Sequence, residues 1–140
     1  MNPEQYSEAD KKALTKGVMQ YLDSWRLSAN EIMGLLGLAG SVRSRVLAQF
    51  RGGVKAFPET STVWERVDHI VGISDALRTT YPFSETMGLV WLRKPHRRFN
   101  QRTPLQVMLE EDLAGLLKVR IDVDCAYGWK ISEAMKKGQS

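Results

Sequence analysis

The chain is poor in the residues that build disulfides, metal centres and membrane spans. Its 140 residues include one cysteine, Cys125, and two histidines, so no internal disulfide can form and no set of zinc ligands is present. No apolar run approaches the roughly 18–20 residues that a membrane-spanning helix needs. The polar start, residues 1–5, lacks the basic and apolar parts of a signal peptide. These absences predict a cytoplasmic protein with no metal, no cofactor and no membrane contact.

Catalytic motifs are equally scarce. The sequence contains no glycine-rich phosphate loop and no nucleophile elbow. His69 lies on a predicted helix beside Asp68, and His96 lies in a basic loop, without metal-ligand spacing. Cys125 falls among helical apolar residues, which predicts a buried and unreactive thiol. We therefore predict that the chain is not an enzyme.

Acidic residues are missing from two long windows. From Ile32 to Pro58 there is no Asp or Glu but four Arg or Lys residues, and from Thr86 to Leu109 there are five such cations and again no acid. Because the formal net charge is only +4, the rest of the chain is net acidic. Basic patches on an otherwise acidic chain suit binding to phosphates, although two solvated basic faces give the same composition.

What the sequence does have is helical periodicity almost throughout. The β-branched segment Val119–Val123 could form a strand, but a single strand would have no partner, so the chain is predicted to be all-α. Predicted helix starts are Ser7 or Glu8, Ser28 with Glu31 as a capping box, Ser41, Thr62 with Glu65 as a second capping box, Ser84, and Thr103 with Pro104. The last helix is predicted from about Asp112 to Ala126, with a stop at Gly128.

The first acid-free window has the pattern of a helix-turn-helix. A helix over 28–36 would brace a second helix from Ser41, which buries Val42, Val46, Leu47 and Phe50 and turns its other side to the major groove. A plain helical hairpin in a bundle has the same caps, and the turn at residues 37–40 departs from the commonest spacing. The candidate DNA contacts are Arg43, Ser44, Arg45, Gln49, Arg51 and Lys55.

The C-terminal half carries a more specific pattern. The helix ending in Trp91-Leu92 leads through Pro95 to Asn100, then to Thr103-Pro104-Leu105, and the last predicted helix ends at Gly128-Trp129. This arrangement resembles the toxin-binding domain of the Xre/MbcA/ParS antitoxin family. The resemblance covers about residues 62–129 and extends more loosely to the helix-turn-helix over 30–53. One departure is Gln101, where relatives often have glycine.

The resemblance implies the antitoxin of a type II toxin–antitoxin system. The implied partner is a RES-domain toxin, which attacks NAD or transfers ADP-ribose and whose active site the antitoxin occludes. The antitoxin would also repress its own operon by binding operator DNA, as a homodimer and in larger hetero-oligomers with the toxin. The implied organisation is a helix-turn-helix DNA-binding region at 1–58, a helical toxin-binding domain at 59–129 and a polar tail at 130–140.

Exposed arginines and aromatics dominate protein interfaces, which selects the candidate toxin contacts. They are Arg93, Lys94, Arg97, Arg98 and Arg102 in the basic loop, and Arg120, Tyr127 and Trp129 on the last helix and its end. The loop could instead meet DNA or merely be solvated, and Trp129 could cover the core, as Trp64 and Trp91 are predicted to do. The alternative functions are a stand-alone helix-turn-helix transcriptional regulator without a toxin, and a structural bundle that binds no DNA.

Overall fold

The structure is a computed structural model that describes the backbone of residues 1–138 and the side chains of residues 1–125. This part of the chain is helical, and its one antiparallel bridge joins His96 to Arg102. Two short 3-10 turns, Pro3–Gln5 and Arg97–Phe99, accompany the helices. The α-helices are α1 Glu8–Ser24, α2 Ala29–Leu35, α3 Val46–Arg51, α4 Ser61–Thr80, α5 Glu85–Leu92 and α6 Pro104–Gly138. The all-α prediction is confirmed for the described residues, and none of these helices is both long and apolar enough to cross a membrane.

Side-chain caps set most helix starts. The Ser28 hydroxyl accepts from the backbone N–H of Glu31 at 3.2 Å, and the Glu31 carboxylate accepts from the Ser28 N–H at 2.8 Å, so the predicted capping box is confirmed. Ser7 and Ser84 cap α1 and α5 with the serine hydroxyl alone, which accepts from the backbone N–H three residues later. Thr103 caps α6, whose first residue is a proline. These caps satisfy amides that have no partner inside the helix.

The prediction that a helix begins at Ser41 is wrong. The Ser41 hydroxyl donates to the Leu38 carbonyl at 3.0 Å instead of capping a helix. Residues 43–45 form tight turns, and α3 begins only at Val46, with Arg45 at its N-cap and no side-chain cap. The second helix of the predicted helix-turn-helix therefore has six residues.

Three other sequence predictions are corrected. Thr60, not Thr62, places its hydroxyl 3.3 Å from the backbone nitrogen of Val63 at the start of α4. The final helix does not stop at Gly128, because the helical backbone of α6 continues to Gly138. Cys125 is exposed, not buried.

The chain divides into two compact units, Met1–Val71 and the residues from Gly72 onward. In the first unit an aromatic cluster joins α3, the segment after it and α4. Phe50 and Phe57 meet edge to face at 4.9 Å between ring centroids, and Phe57 meets Trp64 at 6.4 Å. The Trp64 indole N–H donates to the Pro58 carbonyl at 3.0 Å, so the buried ring leaves no unpaired polar atom.

A buried lysine on α1 makes further contacts within the same unit. The Lys11 ammonium on α1 pairs with Glu59 and, at 2.6 Å, with Glu8. The hydrogen bond to Glu59, followed by that to Glu8, raises the pKa of Lys11. Nearby, the buried Thr15 hydroxyl accepts from the Phe57 N–H at 3.0 Å. Polar contacts thus tie the irregular segment before α4 to α1.

The second unit contains a sharp break inside α6. Asp112 has φ 56° and ψ −129°, which are not helical angles. The two parts of α6 come so close beyond this break that a Cβ atom added at Gly115 would lie 2.2 Å from the Val107 carbonyl oxygen. The predicted separation into two helices near residue 112 is thereby confirmed. The core of this unit contains Ile73, Leu77, Trp91, Leu92, Phe99, Leu105, Val107, Met108, Leu116, Val119 and Val123.

Candidate functional site

The first candidate surface is the basic turn that leads into α3. The side chains of Arg43, Ser44 and Arg45 are all exposed. Neither Arg43 nor Arg45 has an ion-pair partner among the residues whose side chains are described. Because no acid occurs between residues 32 and 58, nothing nearby in sequence neutralises these guanidinium groups. They are available to an external anion.

Three further DNA candidates lie on or after α3. Gln49 and Lys55 are exposed. Arg51 already has a partner, because its guanidinium donates hydrogen bonds to both carboxylate oxygens of Asp23 on α1, at 3.0 Å each. The hydrogen bond that Arg51 donates to Asp23 raises the pKa of Arg51 above its ordinary value. Arg51 therefore holds α3 to α1 in this structure, while the other five candidates face solvent.

The second candidate surface is the loop between α5 and α6, which the backbone closes into a compact turn. The His96 N–H donates to the Arg102 carbonyl at 3.1 Å, and the Gln101 N–H donates to the His96 carbonyl at 3.0 Å. Asn100 and Gln101 both adopt left-handed angles, with φ 56° and 64°. Phe99 anchors the loop in the core with 8% exposure.

Two loop arginines serve to hold the loop in place. Arg98 donates through Nε and Nη2 to the two carboxylate oxygens of Asp122, at 2.6 and 3.0 Å. The Asp122 side chain is only 9% exposed. A two-pronged contact of this kind fixes the direction of the guanidinium as well as its distance. Arg98, predicted as a toxin contact, thus ties the loop to α6.

Arg102 makes the second tie. Its guanidinium donates to Glu111 at 2.7 Å and to Glu110 at 3.1 Å, and these hydrogen bonds raise the pKa of Arg102. Glu111 also pairs with Lys118, beyond the break in α6. The Lys118 hydrogen bond, followed by that of Arg102, lowers the pKa of Glu111. One carboxylate therefore links the loop to both parts of α6.

The remaining loop cations face outward. Arg93, Lys94 and Arg97 are exposed. Lys94 and Arg97 have no ion-pair partner within residues 1–125, the part with described side chains. The structure thus splits the five predicted loop residues into two that rigidify the loop and three that the rigid loop presents.

The structure also exposes apolar residues that our sequence analysis did not select. Phe83 is 99% exposed, and Met87 and Val90 are each 48% exposed. Met87 and Val90, three residues apart, share one side of α5, and Phe83 lies in the turn just before this helix. The signal was therefore present in the sequence, but periodicity alone does not tell which face of a helix is covered.

The predicted sites on α6 have mixed outcomes. Arg120 is half-buried, and its guanidinium lies so close to Gly72 that a Cβ added there would be 2.5 Å from Nε. It is partly enclosed by its own unit. Tyr127 and Trp129 lie outside the residues whose side chains are described. Among the described residues no group of His, Cys, Asp and Glu could hold a metal ion.

The described residues form an all-helical protein with two separate candidate surfaces, both basic, one in each unit. No family model matches the chain, and no solved structure matches it. The chain is 32% identical over 106 residues to the uncharacterized protein y4oB of Sinorhizobium fredii (strain NBRC 101917 / NGR234), and the match covers 76% of this chain and 78% of that protein. The chain therefore belongs to the same family as y4oB.

Proposed function

We propose that the chain is the antitoxin of a type II toxin–antitoxin system, related to the Xre/MbcA/ParS family. Its second unit binds a partner toxin of the RES type, which consumes NAD or transfers ADP-ribose. The first unit binds operator DNA and represses the operon, with the chain acting as a dimer and in larger complexes with the toxin. The observation that carries this proposal is the loop between Trp91 and Thr103.

The loop geometry agrees with the motif on which the resemblance rests. Asn100 and Gln101 are both left-handed, a conformation that glycine adopts without strain. A relative with glycine at the position of Gln101 would fit the same turn. The Thr103 cap and Pro104 then start α6. This turn supports the proposal because it explains a residue pattern that helical periodicity alone does not require.

The loop is also organised as a docking surface should be. Arg98 and Arg102 are held by carboxylates of α6, so the loop loses little conformational entropy when a partner binds. Arg93, Lys94 and Arg97 project from this fixed frame. Arginine is enriched at protein interfaces, and outward cations steer association with an acidic partner.

The experiment that tests partner binding uses the purified product of the gene adjacent to this one. The full-length chain should form a complex with that protein and restore growth to cells that express it. The double change Lys94→Ala with Arg97→Ala should weaken the complex by about 1–3 kcal/mol, since two exposed cations leave the interface. Lys12→Ala, an exposed cation on α1, is the matched control and should bind as the unchanged chain does. No complex with the unchanged chain would contradict the proposal.

DNA binding has its own support and its own test. Arg43 and Arg45 are exposed and unpaired among the described side chains, in a window without acids. Each cation that contacts a phosphate releases counterions, so the logarithm of affinity falls with the logarithm of salt by about 0.9 per contact. Arg45→Ala should reduce this salt slope on the chain's own promoter by about 1 if Arg45 touches a phosphate. Lys12→Ala should leave the slope unchanged, and equal slopes for both variants would remove Arg45 from the phosphate contacts.

A further inference from the structure

The exposed surface that runs from the turn before α5, along this helix and into the loop after it is apolar at one end and positive at the other. Met87 and Val90 lie on the exposed side of α5, and Phe83 lies in the turn just before its N-cap, Ser84; together they form the apolar end. The opposite side of the helix packs into the core of the second unit through Gly88, Trp91 and Leu92. One side of α5 is therefore buried in the second unit, and another side exposes apolar residues to solvent. We call Phe83, Met87 and Val90 the apolar strip.

The apolar strip leads directly to the outward cations. Arg93 and Lys94 follow Val90 by three and four residues, and Arg97 follows within the rigid loop. No Asp or Glu occurs from Thr86 to Leu109, so no residue of this stretch neutralises the positive end. The charge pattern is therefore directional, from apolar to cationic along a single surface.

Single exposed apolar residues are ordinary, but a group of them is characteristic of a binding site. Phe83 lacks even partial shelter, because 99% of it is open to solvent. Phenylalanine, methionine and arginine are the residue types enriched at protein interfaces. The strip and the cations together have the composition of an interface core with a polar rim.

We propose that the apolar strip is the anchor of the partner-binding surface, and that the partner is a protein with an apolar groove bordered by carboxylates. This inference rests on the proposed function and deepens it, because it specifies the chemistry of the surface that the partner must present. Phe83 fills the groove, Met87 and Val90 line its edge, and the carboxylates meet Arg93, Lys94 and Arg97.

The apolar strip favours a protein over a nucleic acid. Single-stranded nucleic acids are bound by aromatic side chains on which successive bases stack. Of the three strip residues only Phe83 is aromatic, and Met87 and Val90 offer no flat face. Duplex DNA is bound mainly through phosphates and groove edges, to which an aliphatic pair adds little.

The test measures binding of the full-length chain to the purified product of the adjacent gene by titration calorimetry. Phe83→Ala should weaken binding by about tenfold or more, because removal of an anchor typically has an effect of this size. Its melting temperature should not change, because the side chain touches almost nothing in the free chain. Val54→Ala is the matched control, since Val54 is 70% exposed but lies in the first unit, and it should bind normally.

The salt dependence of binding distinguishes the contribution of the cations from that of the apolar strip. The loss caused by Arg97→Glu should shrink between about 0.05 and 0.5 M salt, since exposed charges are screened over that range. The loss caused by Phe83→Ala should stay constant. If the unchanged chain binds and Phe83→Ala binds equally well, the anchor is refuted while the proposed function stands. If the unchanged chain does not bind, both fail. If Phe83→Ala weakens binding to a duplex but not to the protein, the surface is a nucleic-acid site and this inference is overturned.

Discussion

Gln101 adopts a backbone conformation that a glutamine rarely takes. Its φ of 64° lies in the left-handed region, where a residue with a Cβ is disfavoured by about 1–2 kcal/mol. The Gln101 side chain is exposed and makes no hydrogen bond recorded within residues 1–125. The residue thus carries a local cost that its side chain does not offset.

Gln101→Gly should therefore stabilise the protein. The gain should be about 0.5–1 kcal/mol, because relief of the left-handed strain exceeds the entropy that glycine adds to the unfolded chain. The measurement is chemical denaturation followed by circular dichroism. Gln20→Gly is the matched control: Gln20 is exposed inside α1, where glycine should cost about 0.5–1 kcal/mol. Destabilisation by both changes would show that the turn is not strained.

The break in α6 depends on a close approach of two backbone segments. A Cβ at Gly115 would lie 2.2 Å from the Val107 oxygen and 2.8 Å from the Val107 carbonyl carbon. Both are backbone atoms and cannot turn aside as a flexible side chain could. The second part of α6 can lie against the first only because residue 115 has no side chain.

Gly115→Ala should accordingly destabilise the second unit by about 1–3 kcal/mol or more, the usual cost of overpacking. Gly17→Ala in α1 is the matched control, since nothing lies within 4 Å of its added Cβ. That control should stabilise by about 0.5–1 kcal/mol through higher helix propensity. Thermal unfolding of the two variants gives the comparison, and equal melting temperatures would mean that the approach is looser than described.

The elements also show what the sequence could and could not predict. Ser28, Ser84 and Thr103 were predictable as helix starts because a cap involves residues only two or three positions apart. Ser41 has the same local signature, but the Leu38 carbonyl takes its hydroxyl. A pattern of apolar residues does not show whether a serine hydroxyl will cap the helix after it or bond to a carbonyl before it.

The candidate site divides in the same way. The basic loop was predictable from composition and from the motif around Pro95. The roles of Arg98 and Arg102 were not, because their partners lie 24 and 8–9 residues away. The exposure of Cys125 was missed because helical spacing shows that a face exists but not whether anything covers it.

Acid should weaken the fold through carboxylates in both units. The hydrogen bond from Lys11 lowers the pKa of Glu8, and that from Lys118 lowers the pKa of Glu111. A carboxylate whose pKa is depressed on folding adds stability that is complete above the unfolded value, about 4.5, and that is lost as the pH falls through the folded value. Stability from these groups should therefore be constant near neutrality and decline below pH 4.5.

The test is the free energy of unfolding measured by urea titration from pH 7 to pH 3. Glu111→Gln should lower stability at pH 7 and flatten the decline below pH 4.5, because the variant has lost one of the groups that titrates. Glu4→Gln, a change at an exposed carboxylate without an ion pair in the described part of the chain, should keep the full decline. Parallel curves for the unchanged chain and Glu111→Gln would exclude Glu111 from the acid response.

The exposed thiol on α6 bears on every measurement of how many copies of the chain associate. Cys125 is the single cysteine of the sequence and it is open to solvent, so air oxidation can join two molecules covalently but can join no more than two. A dimer seen without reductant would therefore be ambiguous between a cross-link and a true non-covalent pair. The same property is useful once the thiol is kept reduced, because a maleimide dye added to the native chain will mark one known position on α6 and nothing else.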